Sequence, residues 1–298
     1  MKITNRNKLP STIADAMVST QARYSKGDAW MSVTGLQRPP RISILSRRHW
    51  KDLSEDVSDG VWKLFGSAIH QILEDGKSRN SVIKEERFFT EILGKTISGA
   101  VDVQEVSDFG IEVSDYKVTR AISVMPNSFS LPSWTEQLNA YAELVERTKG
   151  IPVTRLFICA IIRDHSLREA ERNPDYPKSP IHIVEIELWP QSKREDWLKE
   201  RVAIHLNSET DESLMDVLPE CTPEETWSRG EKWAVKASPN SVRAKKVFDS
   251  EDEAIAMAST NANWIVEHRP SQPLRCQKYC EVSKFCDQFK TWETENET

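Results

Sequence analysis

Two aspartates and a lysine, Asp102, Asp115 and Lys117, stand in two short segments whose composition is typical of β-strands. The segments, residues 96–106 and 110–118, are separated by a polar turn, so the pattern predicts a hairpin. Residues two apart on a strand share a face, and Asp115 and Lys117 therefore point the same way. If the hairpin pairs near Asp102, two carboxylates and one ammonium converge, a set that suits Mg²⁺ or Mn²⁺ and phosphodiester hydrolysis. The alternative is that all three are solvated residues at strand ends.

Two further motifs frame the hairpin along the chain. Upstream, His70 follows Gly66 by four residues in F-G-S-A-I-H, and downstream Gln137 and Tyr141 share one face of a predicted helix. The ordered set G-x-x-x-H, G-x-V-D, D-Y-K and Q-L-x-x-Y resembles the RecB-like branch of the PD-(D/E)XK nuclease superfamily. The resemblance spans residues 62–162, about a third of the chain. It implies an α/β fold of the restriction-endonuclease type, with a mixed central β-sheet flanked by helices.

The resemblance also implies roles for individual residues. Lys117 would position the attacking water, while Gln137 and Tyr141 would steady the catalytic strand and contact the DNA backbone. Glu86 matches its position loosely, because Glu85 competes for it. The groups that the resemblance assigns to a Mg²⁺ or Mn²⁺ ion are the side chains of His70, Asp102, Asp115 and Glu86 and the backbone carbonyl of Tyr116.

The activity implied by the resemblance is that of a metal-dependent deoxyribonuclease. The relatives include phage and bacterial recombination exonucleases and CRISPR-adaptation nucleases, which favours an exonuclease for recombination or DNA processing over an endonuclease. The chain has no G-x-x-x-x-G-K-[S/T] loop and hence no ATP-driven motor of its own. DNA is the expected partner, together with an annealing protein or a helicase, and an oligomer is compatible with the motifs. A catalytically silent DNA-binding or scaffolding subunit and an RNA nuclease are the alternatives.

The composition bounds the class of protein. Charged residues make up 29% and hydrophobic residues 38% of the 298 residues, as in soluble globular proteins. No stretch approaches the roughly 18–20 apolar residues that span a bilayer, and the first residues lack the apolar core of a signal peptide. We therefore expect no membrane contact and a cytoplasmic location in a bacterial or phage-infected cell. The net charge is −6, but residues 1–50 hold nine Lys and Arg against two Asp, so this segment either binds phosphates or is a solvated leader.

The chain is predicted to have three parts. Residues 1–58 form a basic lead-in, residues 59–210 the nuclease core, and residues 211–298 a small C-terminal cysteine-ligated metal subdomain. The order strand, strand, helix, strand in the core is that of a mixed sheet flanked by helices. Apolar spacing predicts helices over 59–75, 133–145 and 191–206, with Ser133 as N-cap of the second, strands over 155–162 and 181–188, and an insertion at 163–179.

Four of the five cysteines follow the nuclease motifs. They are Cys221 and a terminal trio with the spacing C-x3-C-x5-C, namely Cys276, Cys280 and Cys286. Disulfides are not expected in an intracellular chain, and four thiolates suit a [4Fe–4S] cluster or a structural Zn²⁺. Several RecB-like nucleases carry an iron–sulfur cluster held by one distant cysteine and a C-terminal trio; this chain departs from them in its x3 spacing and in placing Cys221 after the catalytic motifs. Free thiols, or Cys159 in place of Cys221, are the remaining alternatives.

Overall fold

The structure is a computed structural model that describes residues 1–23, 26–210, 218–228 and 230–296. The chain forms two compact units: Met1–Pro40 with Trp50–Val217 is unit 1, and Arg41–His49 with Leu218–Thr298 is unit 2. The expected boundary after residue 210 adjoins residues 211–217, which lie outside the described part of the chain. None of the described helices is both long enough and apolar enough to cross a membrane.

Both units contain helices and strands. The strands are β1 (Lys2–Thr4), β2 (Met31–Ser32), β3 (Ser54–Asp56), β4 (Val82–Ile92), β5 (Lys95–Ser107), β6 (Gly110–Thr119), β7 (Val153–Ile162), β8 (Ile181–Ile186), β9 (Lys232–Lys236), β10 (Lys246–Phe248) and β11 (Ile265–Arg269). The helices are α1 (Ser11–Arg23), α2 (Val33–Leu36), α3 (Pro40–Arg48), α4 (Val61–Asp75), α5 (Leu131–Lys149), α6 (Leu167–Arg172), α7 (Gln191–Thr210), α8 (Glu251–Ala258), α9 (Leu274–Lys278) and α10 (Asp287–Asn296). Short 3₁₀ turns occupy Val57–Gly60, Ala121–Ser123 and Ser283–Phe285.

A mixed sheet lies at the centre of unit 1. Its strands follow the order β2-β5-β6-β7-β8, with β4 paired to β5 as well. Strands β6 and β7 are parallel, whereas the β4–β5, β5–β6 and β7–β8 pairs are antiparallel. Helix α5 packs on this sheet and α4 contacts β6. The prediction of a mixed central sheet flanked by helices is therefore confirmed.

Helix α5 carries the largest buried face of unit 1 and begins earlier than predicted. Its N-cap is Ser130 rather than Ser133, and Pro132 lies in its first turn, where a fixed φ and a missing N–H are tolerated. Ser133 instead donates a hydrogen bond from Oγ to the carbonyl of Ser130 at 3.1 Å. Gly150 ends the helix with a φ of 66°, a left-handed conformation that glycine adopts readily. The predicted cap was wrong, and the predicted helix was right.

The predicted hairpin of β5 and β6 is confirmed, and its two strands part near their far ends. Their backbone pairing runs from Ser107 with Gly110 to Val103 with Ser114. Beyond this point β2 pairs with β5 at Ile97 and Ser98, while β4 occupies the opposite edge of β5. Strand β2 therefore takes the edge of β5 that β6 has left. The two strands open into a fork, and a fork exposes backbone and side-chain groups that a continuous ladder would cover.

Several elements differ from the sequence-based expectations. Strand β4, the edge partner of β5 over ten register positions, was not predicted. The expected insertion at 163–179 contains the short helix α6. Most of α3 belongs to unit 2, although residues 1–58 were expected to form a single lead-in. Unit 2 also contains α8, α9, α10 and an antiparallel sheet in the order β10-β9-β11.

Candidate active site

An open cleft of about 690 Å³ in unit 1 lies at the fork between β5 and β6, beside α4. Helices α4 and α5 and strands β4, β5 and β6 all contribute side chains to its walls. The cleft is thus formed by elements that are distant in sequence. Among its lining residues are His70, Glu85, Asp102, Asp115, Tyr116, Lys117, Gln137 and Tyr141.

The fork places two carboxylates together. Asp102 and Asp115 occupy the register positions that follow the last pair, Val103 with Ser114. Asp102 Oδ2 accepts a hydrogen bond from the backbone N–H of Tyr116 at 2.8 Å. The carboxylate thereby satisfies a donor that the ladder no longer pairs. Both aspartates are buried, with 8% and 2% of their surface exposed.

A histidine and a third carboxylate complete one side of the cleft. His70, on α4, has Nδ1 at 3.5 Å from both Glu85 Oε1 and Asp102 Oδ2, and its Nε2 lies 3.1 Å from the carbonyl oxygen of Tyr116. Glu85 lies on β4 with a φ of 51°. This left-handed conformation is rare for a residue with a Cβ and is found mostly where function or tight packing requires it. It directs the Glu85 side chain to His70 from the middle of a strand.

The other side of the cleft is built around Asp115. Lys117 Nζ lies 2.6 Å from Asp115 Oδ2, as expected for two residues that share a strand face. Gln137 on α5 donates from Nε2 to Asp115 Oδ1 at 3.1 Å and to Tyr141 Oη at 2.9 Å. Burial, followed by the charge of Asp115, raises the pKa of Tyr141, so its hydroxyl is neutral. Helix α5 therefore fixes the Asp115 carboxylate through the buried side-chain amide of Gln137.

The electrostatics of the cleft favour positive charge. Burial, and then the charge of Asp115, raises the pKa of Asp102 to about 7. The pKa of His70 is also raised, first by Glu85 and then by the charges of Asp102 and Asp115, against the opposing effect of its burial. A carboxylate that resists ionisation beside a histidine that retains its proton is the behaviour of a site with excess negative charge.

The donor set fits a divalent cation. His70, Glu85 and Asp102 each offer one ligand atom, and these atoms lie within 4.8 Å of one another. Asp115 Oδ2 is buried without a well-directed hydrogen bond among the described residues, because Lys117 approaches it as an ion pair outside hydrogen-bond geometry. Carboxylate and carbonyl oxygens with one imidazole are ligands that Mn²⁺ and Mg²⁺ accept. The site can therefore hold such a cation between α4 and the fork.

The third carboxylate of this site is Glu85, whereas the resemblance had suggested Glu86. The carboxylate of Glu86 accepts hydrogen bonds from Gln104 at 2.8 Å and from Lys149 at 2.6 Å, outside the cleft. These partners lower the pKa of Glu86 although burial opposes them. Glu86 thus has a structural ion pair. The adjacent acidic pair in E-E-R was visible in the sequence, but which member enters the cleft depends on the left-handed conformation of Glu85.

A second group of candidate ligands lies in unit 2. The four cysteines that follow the nuclease motifs line one small cavity, to which α9, α10 and the segment before β9 contribute. Burial, and then the charges of Glu225 and of the neighbouring sulfurs, raises the pKa of Cys221 to about 12. Burial together with Cys280 and Cys286 raises the pKa of Cys276 to about 11. The thiols of Cys221 and Cys276 are therefore neutral unless a cation holds them as thiolates.

The cavity wall fixes two of these cysteines. Gln288 on α10 makes two hydrogen bonds of 2.9 Å to the backbone of Cys221. Its Oε1 accepts from the backbone N–H, and its Nε2 donates to the carbonyl oxygen. Arg41 Nη1 lies 3.9 Å from Cys286 Sγ. Within the described part of the chain, no three cysteine sulfurs lie within 4.8 Å of one another. Cys159, on β7 in unit 1, is not part of this group.

Comparisons with known proteins give only distant likenesses. No family model and no curated protein matches the chain. Among the similar solved structures is SSO0001, with 15% identity over 73% of this chain and 89% of that one and a TM-score of 0.47. Another is a proposed exonuclease from Eubacterium rectale, with 14% identity over 52% of this chain and 57% of that one and a TM-score of 0.31. The chain thus spans little more than half of the second protein, and we base the function on the residues of the cleft.

Proposed function

We propose that this chain is a Mg²⁺- or Mn²⁺-dependent deoxyribonuclease whose unit 1 is a RecB-like, restriction-endonuclease-type core. The observation that carries the proposal is the fork of β5 and β6, which brings Asp102, Asp115 and Lys117 into one open cleft with His70. Two carboxylates and a lysine at the end of a hairpin supply what phosphodiester hydrolysis needs: a cation site and a positive charge beside it.

The ligands of the cation would be His70, Glu85, Asp102 and the Tyr116 carbonyl, with Asp115 beside them. A divalent cation held there would supply Lewis-acid polarisation of the phosphodiester and would lower the pKa of a nearby water. Lys117 is 27% exposed at its side chain and faces the cleft, so its ammonium can hold the attacking water and stabilise the charge that develops on phosphate oxygens.

The remaining residues of the cleft orient these groups. Gln137 keeps Asp115 in position through Oδ1 and leaves Oδ2 to Lys117 and to a cation. Because Gln137 and Tyr141 are buried, we assign them to the support of the catalytic strand, and contact with the DNA backbone falls to more exposed groups. On the resemblance of the motifs, we propose an exonuclease that acts on DNA in recombination or DNA processing. Its location would be the cytoplasm, and its partner an annealing protein or a helicase.

Unit 2 would hold a cluster through its four cysteines, and we favour [4Fe–4S] over Zn²⁺. This choice rests on the resemblance of the terminal trio to that of the RecB-like nucleases that carry such a cluster, and on the single cavity that the four cysteines line. Arg41, whose guanidinium lies near Cys286, would offset part of the negative charge of a thiolate-ligated cluster. The role of this site would be structural, because it ties the segment before β9 to α10.

The experiment that tests the function is digestion of end-labelled linear DNA and of closed circular DNA with Mg²⁺. We expect the wild type to degrade linear DNA, and Asp115→Ala and Lys117→Ala to lose at least a hundredfold in rate, the usual scale for a catalytic group. Asp108→Ala is the matched control, since this aspartate is exposed in the turn of the same hairpin. Equal digestion by all variants would remove the assignment of the site.

Matched substrates separate the remaining possibilities. Cleavage of circular DNA would identify an endonuclease, and equal cleavage of matched RNA would identify a nuclease without preference for DNA. DNA binding without cleavage by any variant would identify the silent binding subunit instead.

A further inference from the structure

An exposed aromatic side chain lies on the same helix as His70. Trp62, near the start of α4, has 56% of its surface exposed, and Phe65 beside it has 41%. Their ring centroids are 6.4 Å apart in an edge-on arrangement, with an interplanar angle of 80°. Both rings therefore present apolar surface to the solvent.

A guanidinium covers one face of this tryptophan. The Arg163 Cζ atom lies 3.6 Å from the centroid of the Trp62 ring. Arg163 Nη1 is buried and has no hydrogen-bond partner among the described residues. The backbone N–H of Arg163 donates to the carbonyl of Thr119 at 2.9 Å, so this arginine stands at the end of β6 that also carries Lys117. The pair is thus a positively charged aromatic platform at the catalytic end of the sheet.

The platform is aligned with the cleft along α4. Trp62, Gly66 and His70 follow each other at intervals of four residues and therefore lie on one face of the helix. Gly66 and His70 both line the cleft, and a Cβ placed on Gly66 would meet nothing within 4 Å. Eight residues of helix span about 12 Å, a length of about three to four stacked nucleotides. A strand whose phosphate lies at His70 can therefore place a base near Trp62.

We propose that Trp62, backed by Arg163, is a stacking site for an unpaired base of single-stranded DNA that leads into the cleft. Aromatic rings with adjacent arginine bind successive bases of single strands regardless of sequence, because every base has a π-face. In a duplex the same face is already stacked on its neighbours, so the site accepts single strands or frayed ends. The proposal rests on the proposed function in that the stacked strand is the one to be cleaved.

The test measures binding apart from cleavage. A fluorescein-labelled oligo-dT of about 20 nucleotides, long enough to pass beyond one stacking site, is titrated with the full-length protein without added divalent cation, and anisotropy is recorded. Trp62→Ala and Trp62→Leu should each weaken binding about 5- to 100-fold, the range for the loss of one stacked base. Trp62→Phe keeps an aromatic face and should stay within about threefold of the wild type. Affinity for a blunt duplex should not change in any variant.

Trp50→Ala is the matched control, because Trp50 is also 56% exposed and also belongs to unit 1. It should bind oligo-dT like the wild type. Unchanged affinity in both Trp62→Ala and Trp62→Leu would overturn the stacking site, and so would an equal loss in Trp50→Ala. Loss in Trp62→Ala with full binding by Trp62→Leu would also overturn it, since an apolar contact of any shape would then suffice.

Hydrolysis of bis(4-nitrophenyl) phosphate with Mn²⁺ separates this inference from the proposed function. This small diester has no strand to stack, so Trp62→Ala should hydrolyse it like the wild type, whereas Asp115→Ala should not. If the wild type cleaves neither this diester nor DNA, the nuclease assignment fails, and binding of oligo-dT that depends on Trp62 still supports the stacking site. If the wild type cleaves both substrates and the affinity for oligo-dT does not depend on Trp62, only the stacking site is contradicted.

Discussion

Asp102 and Asp115 form the first facing pair beyond the β5–β6 ladder, whose last backbone pair is Val103 with Ser114. Both carboxylates are buried at the fork, and the charge of Asp115 raises the free energy of ionising Asp102. Lys117 and His70 offset part of this repulsion. The site is therefore electrostatically incomplete without a cation, and its stability should depend on pH and on metal.

Stability of the metal-free protein should fall as the pH rises from 3.8 to about 7, the unfolded and folded pKa values of Asp102. The pKa of Asp102 is raised from 3.8 to about 7, so the folded chain holds this proton more tightly than the unfolded chain does. The resulting stabilisation is complete below the unfolded value and is lost as the pH rises to the folded value. The raised pKa of His70 acts in the same direction. Asp102→Asn cannot lose the proton, so the variant should gain stability relative to the wild type as the pH rises.

Urea unfolding in EDTA at about pH 5 and about pH 8 measures this difference, which we expect to be on the order of 2 kcal/mol. Asp108→Asn, in the exposed turn of the same hairpin, serves as the control. Because it keeps Asp102, its stability should fall with rising pH as that of the wild type does. A wild-type protein that becomes more stable than Asp102→Asn between these two pH values would contradict the raised pKa.

Binding of Mn²⁺ should stabilise unit 1 through Glu85 and not through Glu86. At a concentration 100 times the dissociation constant, a ligand adds about 2.7 kcal/mol, or roughly 5 to 10 °C in melting temperature for a chain of this size. Glu85→Gln removes one carboxylate from the group that includes His70 and Asp102 and should remove most of this shift.

Glu86→Gln is the neighbouring control for that experiment. It breaks the ion pair with Lys149, so its melting temperature without metal should fall slightly, but the shift caused by Mn²⁺ should persist. Calorimetry of the three proteins with and without Mn²⁺ decides between the two glutamates. A shift lost in Glu86→Gln and kept in Glu85→Gln would reverse our assignment.

The sequence predicted the parts of the site whose signal is local. Alternation and a polar turn located the hairpin, and the spacing of Asp115 and Lys117 placed them on one face, as their ion pair requires. Spacing of four residues likewise placed Gln137 and Tyr141 on one helix face, where a hydrogen bond joins them. Such periodicities follow from backbone geometry and need no knowledge of the tertiary fold.

The parts that escaped prediction depend on contacts between distant segments. Strand β4 contains K-E-E-R, a polar stretch that has no strand signal of its own and is held by pairing with β5. The left-handed conformation of Glu85 decides which glutamate enters the cleft, and no pattern of residue types encodes it. At the fork, β2, a segment of only two residues, pairs with β5 beyond the point where β6 departs, and this contact joins segments that are distant in sequence.

Gly99→Ala should disturb the hydrogen bonds by which Tyr141 and Gln137 hold Asp115 in position. A Cβ at Gly99 would lie 2.9 Å from the ring of Tyr141 and 3.1 Å from the Leu144 side chain, both buried in α5. Overpacking of this kind costs about 1–3 kcal/mol. A displaced Tyr141 also releases Gln137 from the position in which it binds Asp115, so DNA cleavage should fall together with stability.

Gly66→Ala should stabilise the protein, whereas Gly99→Ala should destabilise it, so the two variants are compared for stability. This glycine lies inside α4, and an added Cβ meets nothing within 4 Å. Alanine in a helix interior should raise the free energy of unfolding by about 0.5–1 kcal/mol, since it restricts the unfolded chain and has a higher helix propensity. Chemical denaturation of both variants measures the contrast; equal stability of the two would mean that Tyr141 and Leu144 move aside without strain.

The cysteines that line the cavity of unit 2 are the thiols that we expect to bind a metal. Cys221→Ser removes one of the four sulfurs that line the cavity and should lower the iron content of anaerobically purified protein, together with its visible absorbance. Because the site joins the segment before β9 to α10, the same variant should be cleaved more readily by protease within unit 2.

Cys159→Ser tests the alternative ligand and controls for the loss of a thiol. Cys159 lies on β7 in unit 1, and its pKa is raised by burial, as for a cysteine packed as a small apolar residue. This variant should keep the iron content and the protease resistance of the wild type. Metal analysis that finds zinc in place of iron would identify the bound group as Zn²⁺, and iron lost from Cys159→Ser but retained in Cys221→Ser would mean that the cavity in unit 2 is not where it binds.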